Sequence, residues 1–179
     1  MAIALTFVDK KLLDTTVVGP DGGVRYTTTT TSGFRGRKIT TISAASGLTG
    51  YINWREHVFV INGVQREWDS LKSRSGGIFS SEREWSWGNR PFHLKYHDSH
   101  KELLATPTTG NPADTVRFTT YHSHLLHDSE RAAIYFPHQM VDEIERMFLL
   151  MAILQTEMHR QDVKAAASRN ASLAGAAAA

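Results

Sequence analysis

One stretch near the C-terminus limits how this chain can fold more than any other. Residues Met147–Leu154 read Met-Phe-Leu-Leu-Met-Ala-Ile-Leu, an unbroken apolar run inside a segment with helical periodicity. A helix that is apolar on every side must be enclosed on every side, by lipid or by protein. The run is too short to cross a bilayer, which takes about 20 residues. It therefore predicts a helix buried inside the protein.

The sequence around this run predicts where the helix begins and ends. Pro137 is suited to the first helical position, where a missing N–H costs nothing, and the helical pattern extends to about residue 164. We therefore predict a central helix over about 137–164 within a single domain of residues 1–164. Residues 165–179 are Ala-rich and have little apolar surface to bury. We therefore expect a C-terminal tail that frays or packs against a partner.

Almost everything before the helix reads as short strands separated by turn residues. Val58–Ile61 and Val64–Trp68 flank Asn62-Gly63, the pair preferred in a type I′ hairpin. The threonine run Thr27–Thr31 favours a strand with one hydroxyl-rich face, and a low-complexity linker is the alternative. The other strand candidates are Ile3–Val8, Thr15–Val18, Arg37–Ile42, Gly50–Trp54, Gly77–Ser80, Arg83–Trp87, Phe92–Tyr96, Glu102–Ala105, Thr115–Tyr121 and Ala132–Phe136.

Many short strands spaced about ten residues apart indicate an antiparallel barrel or sandwich. Strand and helix do not alternate along the chain, so a parallel α/β fold is disfavoured. The predicted fold class is therefore mainly β: an antiparallel β-barrel that encloses one apolar C-terminal α-helix.

The composition disfavours several classes of protein. The chain has no cysteine, which excludes disulfides, thiolate metal sites and a cysteine nucleophile. Its net charge is only +2 and its Lys and Arg residues are scattered, whereas nucleic-acid-binding proteins carry them in a clustered stripe. We find no secretion signal and no transmembrane segment in the sequence. We therefore expect a soluble cytoplasmic protein with no nucleic-acid partner and no integral membrane association.

Short motifs along the chain resemble a known group of domains. They are Leu5-Thr-Phe7, the strand Gly36–Ile42, Ile52-Asn-Trp54, Trp85-Ser-Trp87 and the helix from Met140. Together they resemble a large family of uncharacterised fungal domains with a barrel similar to the tubby C-terminal, LURP-one and scramblase group. The resemblance implies a tubby-like barrel wound around a helix and implies no catalytic site. It also suggests a carrier of an apolar pigment, that is, a chromoprotein.

The aromatic residues suggest where a ligand would bind. Trp85 and Trp87 lie two apart on a predicted strand and must share one face. Tryptophan offers a flat apolar surface and one N–H donor, which suits a planar apolar ligand, and methionine adds adaptable surface. The alternative is that these side chains simply form the core. The predicted ligand contacts are Trp54, Phe59, Trp85, Trp87, Met147 and Met151.

These residues lead to a prediction of function. We expect a non-enzymatic binding protein for an apolar small molecule, such as a pigment or terpenoid held without a covalent bond as a chromophore. The ligand would occupy a cavity or a dimer interface, so a homodimer is left open. One alternative is a membrane-surface or phosphoinositide-binding module that uses Arg35, Arg37 and Lys38.

The histidines support a second alternative, a hydrolase or metal enzyme. Two groups of three are close in sequence: His122, His124 and His127, and His93, His97 and His100. Two histidines on one strand face bind zinc if a third ligand converges on them. The tripeptide His-Asp-Ser occurs twice, but a catalytic triad is built by convergence in space and not by adjacency in sequence. We therefore assign no catalytic and no metal-binding residue.

Overall fold

The computed structural model describes residues 2–34, 36–74, 83–121 and 130–177. Within these ranges the chain is mainly β, with a short helix α1 (Trp68–Leu71), a 3-10 turn (Pro112–Asp114) and one long C-terminal helix α2 (Glu143–Ala177). The strands are β1 (Ala2–Phe7), β2 (Thr15–Val18), β3 (Val24–Gly33), β4 (Gly36–Ala44), β5 (Thr49–Asn53), β6 (Val58–Ile61), β7 (Val64–Glu67), β8 (Lys72–Arg74), β9 (Arg83–Trp85), β10 (Phe92–His97), β11 (Glu102–Pro107), β12 (Val116–Thr119) and β13 (Ala133–Pro137).

All these strands belong to one antiparallel sheet made of two meanders. Its order is β7-β6-β5-β4-β3-β2-β1-β13-β12-β11-β10-β9-β8. The meanders meet where β1 pairs with β13, with Leu5 opposite Ile134. Every other pair joins strands that follow each other in sequence, so nearly all of the sheet is built from local hairpins.

The sheet curls around α2, as the apolar run predicts. Every residue of Met147–Leu154 has an exposed fraction of 0%. Side chains from both meanders share this core, among them Phe7 and Ile52 from the first and Leu103 and Phe118 from the second. The prediction of an enclosed apolar helix is therefore confirmed.

The sheet is not closed, so the predicted barrel is not established. Its edge strands β7 and β8 follow each other in sequence, but α1 lies between them, and β8 has only three residues, which pair with β9. Among the described residues no ladder joins β7 to β8. The edges nevertheless approach each other, because the guanidinium of Arg66 in β7 donates a hydrogen bond to the carbonyl of Trp87, two residues after β9.

The predicted helix start at Pro137 is wrong. Pro137 is the last residue of β13 and lies opposite Ala2 in the sheet. Helix α2 begins at Glu143, and the side-chain Oδ1 of Asp142 accepts the backbone N–H of Ile144 at 2.8 Å. An aspartate before the first helical residue satisfies a free N–H and complements the helix dipole, so Asp142 is the better N-cap.

Helix α2 also extends beyond residue 164 without a break and ends at Ala177. Residues 161–170 are exposed on all sides of the helix. Alanine has the highest helix propensity of the amino acids, so this segment needs less burial than most to stay helical. The end of the enclosed core at about residue 160 therefore does not end the helix.

The strand predictions largely agree with the sheet. Asn62 and Gly63 have φ of 50° and 78°, as a type I′ turn between β6 and β7 requires, so the hairpin prediction is confirmed. The threonine run lies in β3, and Thr28 and Thr30 donate hydrogen bonds to the carbonyls of Leu12 and Leu13. The linker alternative is therefore wrong. The candidate strand at 77–80 lies outside the described residues.

A polar network holds the start of α2 against the second meander. Asp114 accepts hydrogen bonds from Arg90 and from Gln139, which lies between β13 and α2. These two donors hold the pKa of Asp114 below its usual value. Arg90 also lies 3.7 Å from the carboxylate of Glu145 in the first turn of α2. The network therefore connects three segments that are far apart in sequence.

Replacing a side chain of the enclosed run should be costly. We expect Leu150→Ala to lower the free energy of unfolding by about 2–5 kcal/mol, because the sheet cannot collapse fully into the space that is left. Urea denaturation followed by circular dichroism measures this change. Val163→Ala, on the same helix where the side chain is 54% exposed, is the control and should change the value by less than about 0.5 kcal/mol. Equal effects of the two substitutions would contradict the enclosure of α2.

Candidate ligand-binding site

Five aromatic rings form a cluster where the two edges of the sheet approach each other, and Trp68 joins it with its centroid 5.8 Å from that of Phe59. Phe59 of β6 and Trp85 of β9 stack with ring centroids 5.7 Å apart and an interplanar angle of 13°. Phe148 of α2 lies 6.5 Å from each of them, and Trp87 lies 6.0 Å from Phe148. The predicted contacts Phe59, Trp85 and Trp87 are therefore brought together, with Phe148 as a member that the sequence did not indicate.

The predicted contact Trp54 lies at the margin of this cluster, next to Trp68. Its indole Nε1 donates a hydrogen bond to Thr40 Oγ1 at 2.8 Å, and the guanidinium of Arg37 lies 5.1 Å from its ring centroid. Its ring meets Trp68 edge to face at 5.9 Å. Because both its N–H and its ring have partners, Trp54 stabilises the sheet around it.

The two predicted methionine contacts pack against the backbone of β5. A Cβ atom at Gly50 would lie 3.4 Å from Met147 Cγ and 3.4 Å from Met151 Sδ, so both side chains cover this glycine. Both methionines are fully buried. Neither lines the cavities described below, so Met147 and Met151 are not gathered with Trp85 around a shared space.

A cavity of about 400 Å³ lies beside Trp85, on the side where β7 and β8 leave the sheet open. It is bounded by α1, by the ends of β8 and β9, and by the last enclosed turns of α2. We call it the tryptophan cavity. Its lining residues are His57, Trp68, Lys72, Arg83, Trp85, Gln155, Thr156 and His159.

The two tryptophans of this cavity are deeply buried, with exposed fractions of 6% for Trp68 and 1% for Trp85. Neither indole Nε1 has a hydrogen-bond partner within the described ranges of the chain. An indole N–H only donates, and a buried donor left unpaired costs about 1–3 kcal/mol. Because neither Nε1 atom has accessible surface, these two donors lie behind the wall of the cavity and do not face its open space.

Helix α1 and the turn before β6 position Trp68 and Lys72. The backbone N–H of Trp68 donates to the carbonyl of His57 at 2.8 Å, and the two rings stack with centroids 4.7 Å apart. At the start of β8, directly after α1, Lys72 Nζ lies 5.6 Å from the Trp68 ring and 6.0 Å from the Trp85 ring. The sequence did not assign either residue to the site, because Lys72 lies in β8, beyond the end of α1, and pairing with β9 places it beside Trp85.

A larger cavity, of about 490 Å³, lies at the start of α2. Ile3, Tyr26 and Phe136 line its apolar side, and Arg25, Glu143 and Arg146 are its charged residues. The negative charge of Glu143 compensates part of the positive charge of the two arginines. Arg25 also pairs with Asp21 at 2.6 Å. Taken together, these charges therefore indicate a class of ligand less clearly than the tryptophan cavity does.

The residues of the two alternative predictions are only partly described. His122, His124 and His127 lie outside the described residues, and so does Arg35. In the part of the chain that the structure describes, no three His, Asp or Glu side chains are grouped to hold a metal ion. Arg37 Nη2 pairs with Asp162 of α2 at 2.5 Å, whereas Lys38 is exposed.

Comparisons with known proteins found no match: no family model, no curated protein and no solved structure is significantly similar to this chain. The resemblance to the fungal and tubby-like domains therefore stays a prediction. None of the described helices combines the length and the hydropathy that crossing a membrane requires.

The packing of the methionines predicts a specific weakness at Gly50. A Cβ at this position would lie 2.9 Å from the carbonyl oxygen of Val60 in the neighbouring strand, and backbone cannot move away as a side chain can. We expect Gly50→Ala to destabilise the protein by about 1–3 kcal/mol, measured by urea denaturation. Gly88→Ala is the matched control, because a Cβ there meets nothing within 4 Å. Similar stability of the two variants would show that the contact at Gly50 is not as tight as described.

Proposed function

We propose that this protein is a non-enzymatic binding protein for an apolar small molecule, such as a pigment or terpenoid, and that the tryptophan cavity holds it. The observation that carries the proposal is the space of about 400 Å³ at the open edge of the sheet, beside Trp68 and Trp85. The volume of this cavity lies within the range of about 300–1,000 Å³ that is typical of small-molecule sites.

Binding would be driven by desolvation of the ligand in this cavity. Burial of apolar surface contributes roughly 25 cal/mol per Å² before the costs of association. Trp85 stacks on Phe59, and Trp68 stacks on His57, so the rings are fixed before a ligand arrives. A pre-ordered site loses less conformational entropy on binding, which favours affinity.

The wider expectations are part of the same proposal. We propose that the curled sheet is a tubby-like barrel, supported by the enclosed helix and by the contact between Arg66 and Trp87 across the open edge. A non-covalent chromophore, a cytoplasmic location, a fungal origin and a homodimer belong to this proposal as well.

The direct test of this proposal is to purify the protein from its own source and examine it by absorbance and native mass spectrometry. We expect a bound organic molecule of defined mass, released when the protein is denatured. A colourless preparation with no bound mass would count against the proposal. The same spectrum reports any bound metal and the number of subunits, so it also tests the metal-enzyme alternative and the homodimer.

The position of the site is tested on ligand-free protein with the neutral fluorescent probe N-phenylnaphthylamine. We expect saturable binding that Thr156→Phe or Gln155→Phe weakens at least about tenfold, because a phenyl ring fills the cavity that these residues line. Ala166→Phe, on an exposed part of the same helix, is the control and should bind as the parent does. If neither cavity-filling substitution weakens binding of the probe, the ligand binds elsewhere.

A second candidate function, docking on an anionic membrane surface, is favoured by one observation. Phe34 is fully exposed in the turn between β3 and β4. The exposed Lys38 lies on β4, and Arg55 reaches the same tip, since a Cβ at Gly33 would lie 2.9 Å from its Nη2. An aromatic ring beside cations suits insertion between anionic lipid headgroups, where each basic residue contributes about 1 kcal/mol.

Vesicle co-sedimentation tests this second candidate. We expect binding to vesicles that contain phosphatidylserine and a phosphoinositide, and a loss of several-fold in Phe34→Ala and in Lys38→Gln combined with Arg55→Gln. Val24→Ala is the control, since Val24 is an exposed apolar residue at the opposite end of β3. Equal sedimentation of all these variants would exclude the hairpin tip as a membrane contact.

A further inference from the structure

The larger cavity, at the start of α2, contains an arginine whose guanidinium has no partner. Arg146 lines this cavity. Within the described ranges, no carboxylate lies within 4 Å of its guanidinium and no group accepts a hydrogen bond from it. The guanidinium groups of Arg90 and Arg160, by comparison, pair with Asp114 and Glu157. Arg146 therefore carries a positive charge that the described part of the protein does not pair.

The position of Arg146 in the helix makes this charge unfavourable for stability. Arg146 lies in the first turn of α2, where the partial positive charge of the helix dipole disfavours a cation. Its side chain is half-buried, and burial of an unpaired charge adds to the cost. Residues that lower stability in this way are typical of functional sites, where binding needs outweigh the needs of the fold.

The hydrogen-bond donors of this cavity can be reached from its open space. Nε is the one nitrogen of the Arg146 guanidinium that is enclosed, so Nη1 and Nη2 keep accessible surface. The hydroxyl of Tyr26, which also lines the cavity, has no described partner and is not enclosed either. Burial raises the pKa of Tyr26, and Arg146 offsets part of this rise. The hydroxyl is therefore protonated at neutral pH and can donate.

The other charged groups of the lining limit the charge of a ligand. Arg25 is exposed and already pairs with Asp21 at 2.6 Å, so it adds little attraction. Glu143 is exposed and lies close enough to raise the pKa of Tyr26, so it would repel an anion in the cavity. A carboxylate with one negative charge is repelled less than a phosphate with two. The lining therefore favours a singly charged anion.

The size of the cavity indicates that a ligand has more than an anionic group. A volume of about 490 Å³ lies in the range of small-molecule sites and far exceeds the space that a bare carboxylate occupies. Ile3 and Ala44 line the cavity and are only partly buried, so they offer apolar surface next to the donors. An organic molecule with an apolar body matches this arrangement.

We infer that the cavity at the start of α2 binds a small organic acid, with its carboxylate on Arg146 and the Tyr26 hydroxyl and its apolar body toward Ile3. The two outer nitrogens of a guanidinium match the two oxygens of a carboxylate, which gives a strong charge-assisted pair. This site shares no lining residue with the tryptophan cavity, so the inference does not depend on the proposed function.

Two compounds that differ in charge test the inference. Naphthylacetate carries a carboxylate, and naphthylacetamide is its neutral amide of nearly the same shape. We expect the acid to bind at least about tenfold more tightly, because only the acid forms a charge-assisted hydrogen bond. Isothermal titration calorimetry at neutral pH and fixed ionic strength measures both dissociation constants.

Variants connect this difference to named groups. Arg146→Met keeps an apolar stem without the charge, and should weaken binding of the acid about tenfold while leaving the amide within about twofold. Tyr26→Phe should weaken binding of the acid several-fold. Lys11→Met, which removes one exposed positive charge between β1 and β2, is the matched control and should change neither.

Thermal unfolding separates a binding role of Arg146 from a structural role. We expect ligand-free Arg146→Met to be at least as stable as the parent, because the substitution removes an unpaired charge from the first turn of α2. A lower melting temperature of this variant would show that Arg146 supports the fold, and would overturn the inference.

The remaining outcomes separate this inference from the proposed function. Equal affinity for the acid and the amide, or no measurable binding of the acid, would overturn the inference. Binding of the acid that Thr156→Phe abolishes and Arg146→Met leaves unchanged would place it in the tryptophan cavity, and would overturn the inference while the proposed function stands. Displacement of the acid by inorganic phosphate at equal concentration would overturn the choice of a carboxylate.

Discussion

The enclosure of the apolar segment of α2 is the constraint on which the rest of the structure depends. Eight residues of helix span about 12 Å at 1.5 Å per residue, and strands of four to six residues span about 13–20 Å at 3.3 Å per residue. Most strands of this sheet have four to six residues, so their length matches that of the segment they cover. The sheet needs many short strands because it must pass around a helix and does not have to extend along it.

The same constraint accounts for the position of the tryptophan cavity. Covering the apolar segment of α2 on every side brings the two edges of the sheet together. Helix α1 nevertheless lies between β7 and β8, which are not paired with each other. Large rings occupy this gap instead: Phe59 from one edge stacks on Trp85 from the other, over Phe148 of the helix. The cavity lies beyond these rings, beside Gln155, Thr156 and His159 of α2, which follow the fully buried run.

The sequence predicted the features that depend on residues close together along the chain. The run Met147–Leu154 predicted burial, and Asn62-Gly63 predicted a type I′ hairpin, because each pattern leaves few conformations open. Pro137 was misassigned because the first helical position and the end of a strand both tolerate a missing N–H, and pairing with β1 decides between them. Trp68 and Lys72 were not assigned to the site because the fold alone brings them to Trp85.

Three tryptophans of this protein show how one residue type takes different roles. Trp54 donates its N–H to Thr40 and therefore has little to offer a ligand beyond one face of its ring. Trp68 and Trp85 present similar rings, but their N–H groups have no partner in the described parts of the chain. Because these two nitrogen atoms have no accessible surface, a molecule in the cavity cannot pair with them, and the cost of about 1–3 kcal/mol for each falls on the stability of the fold.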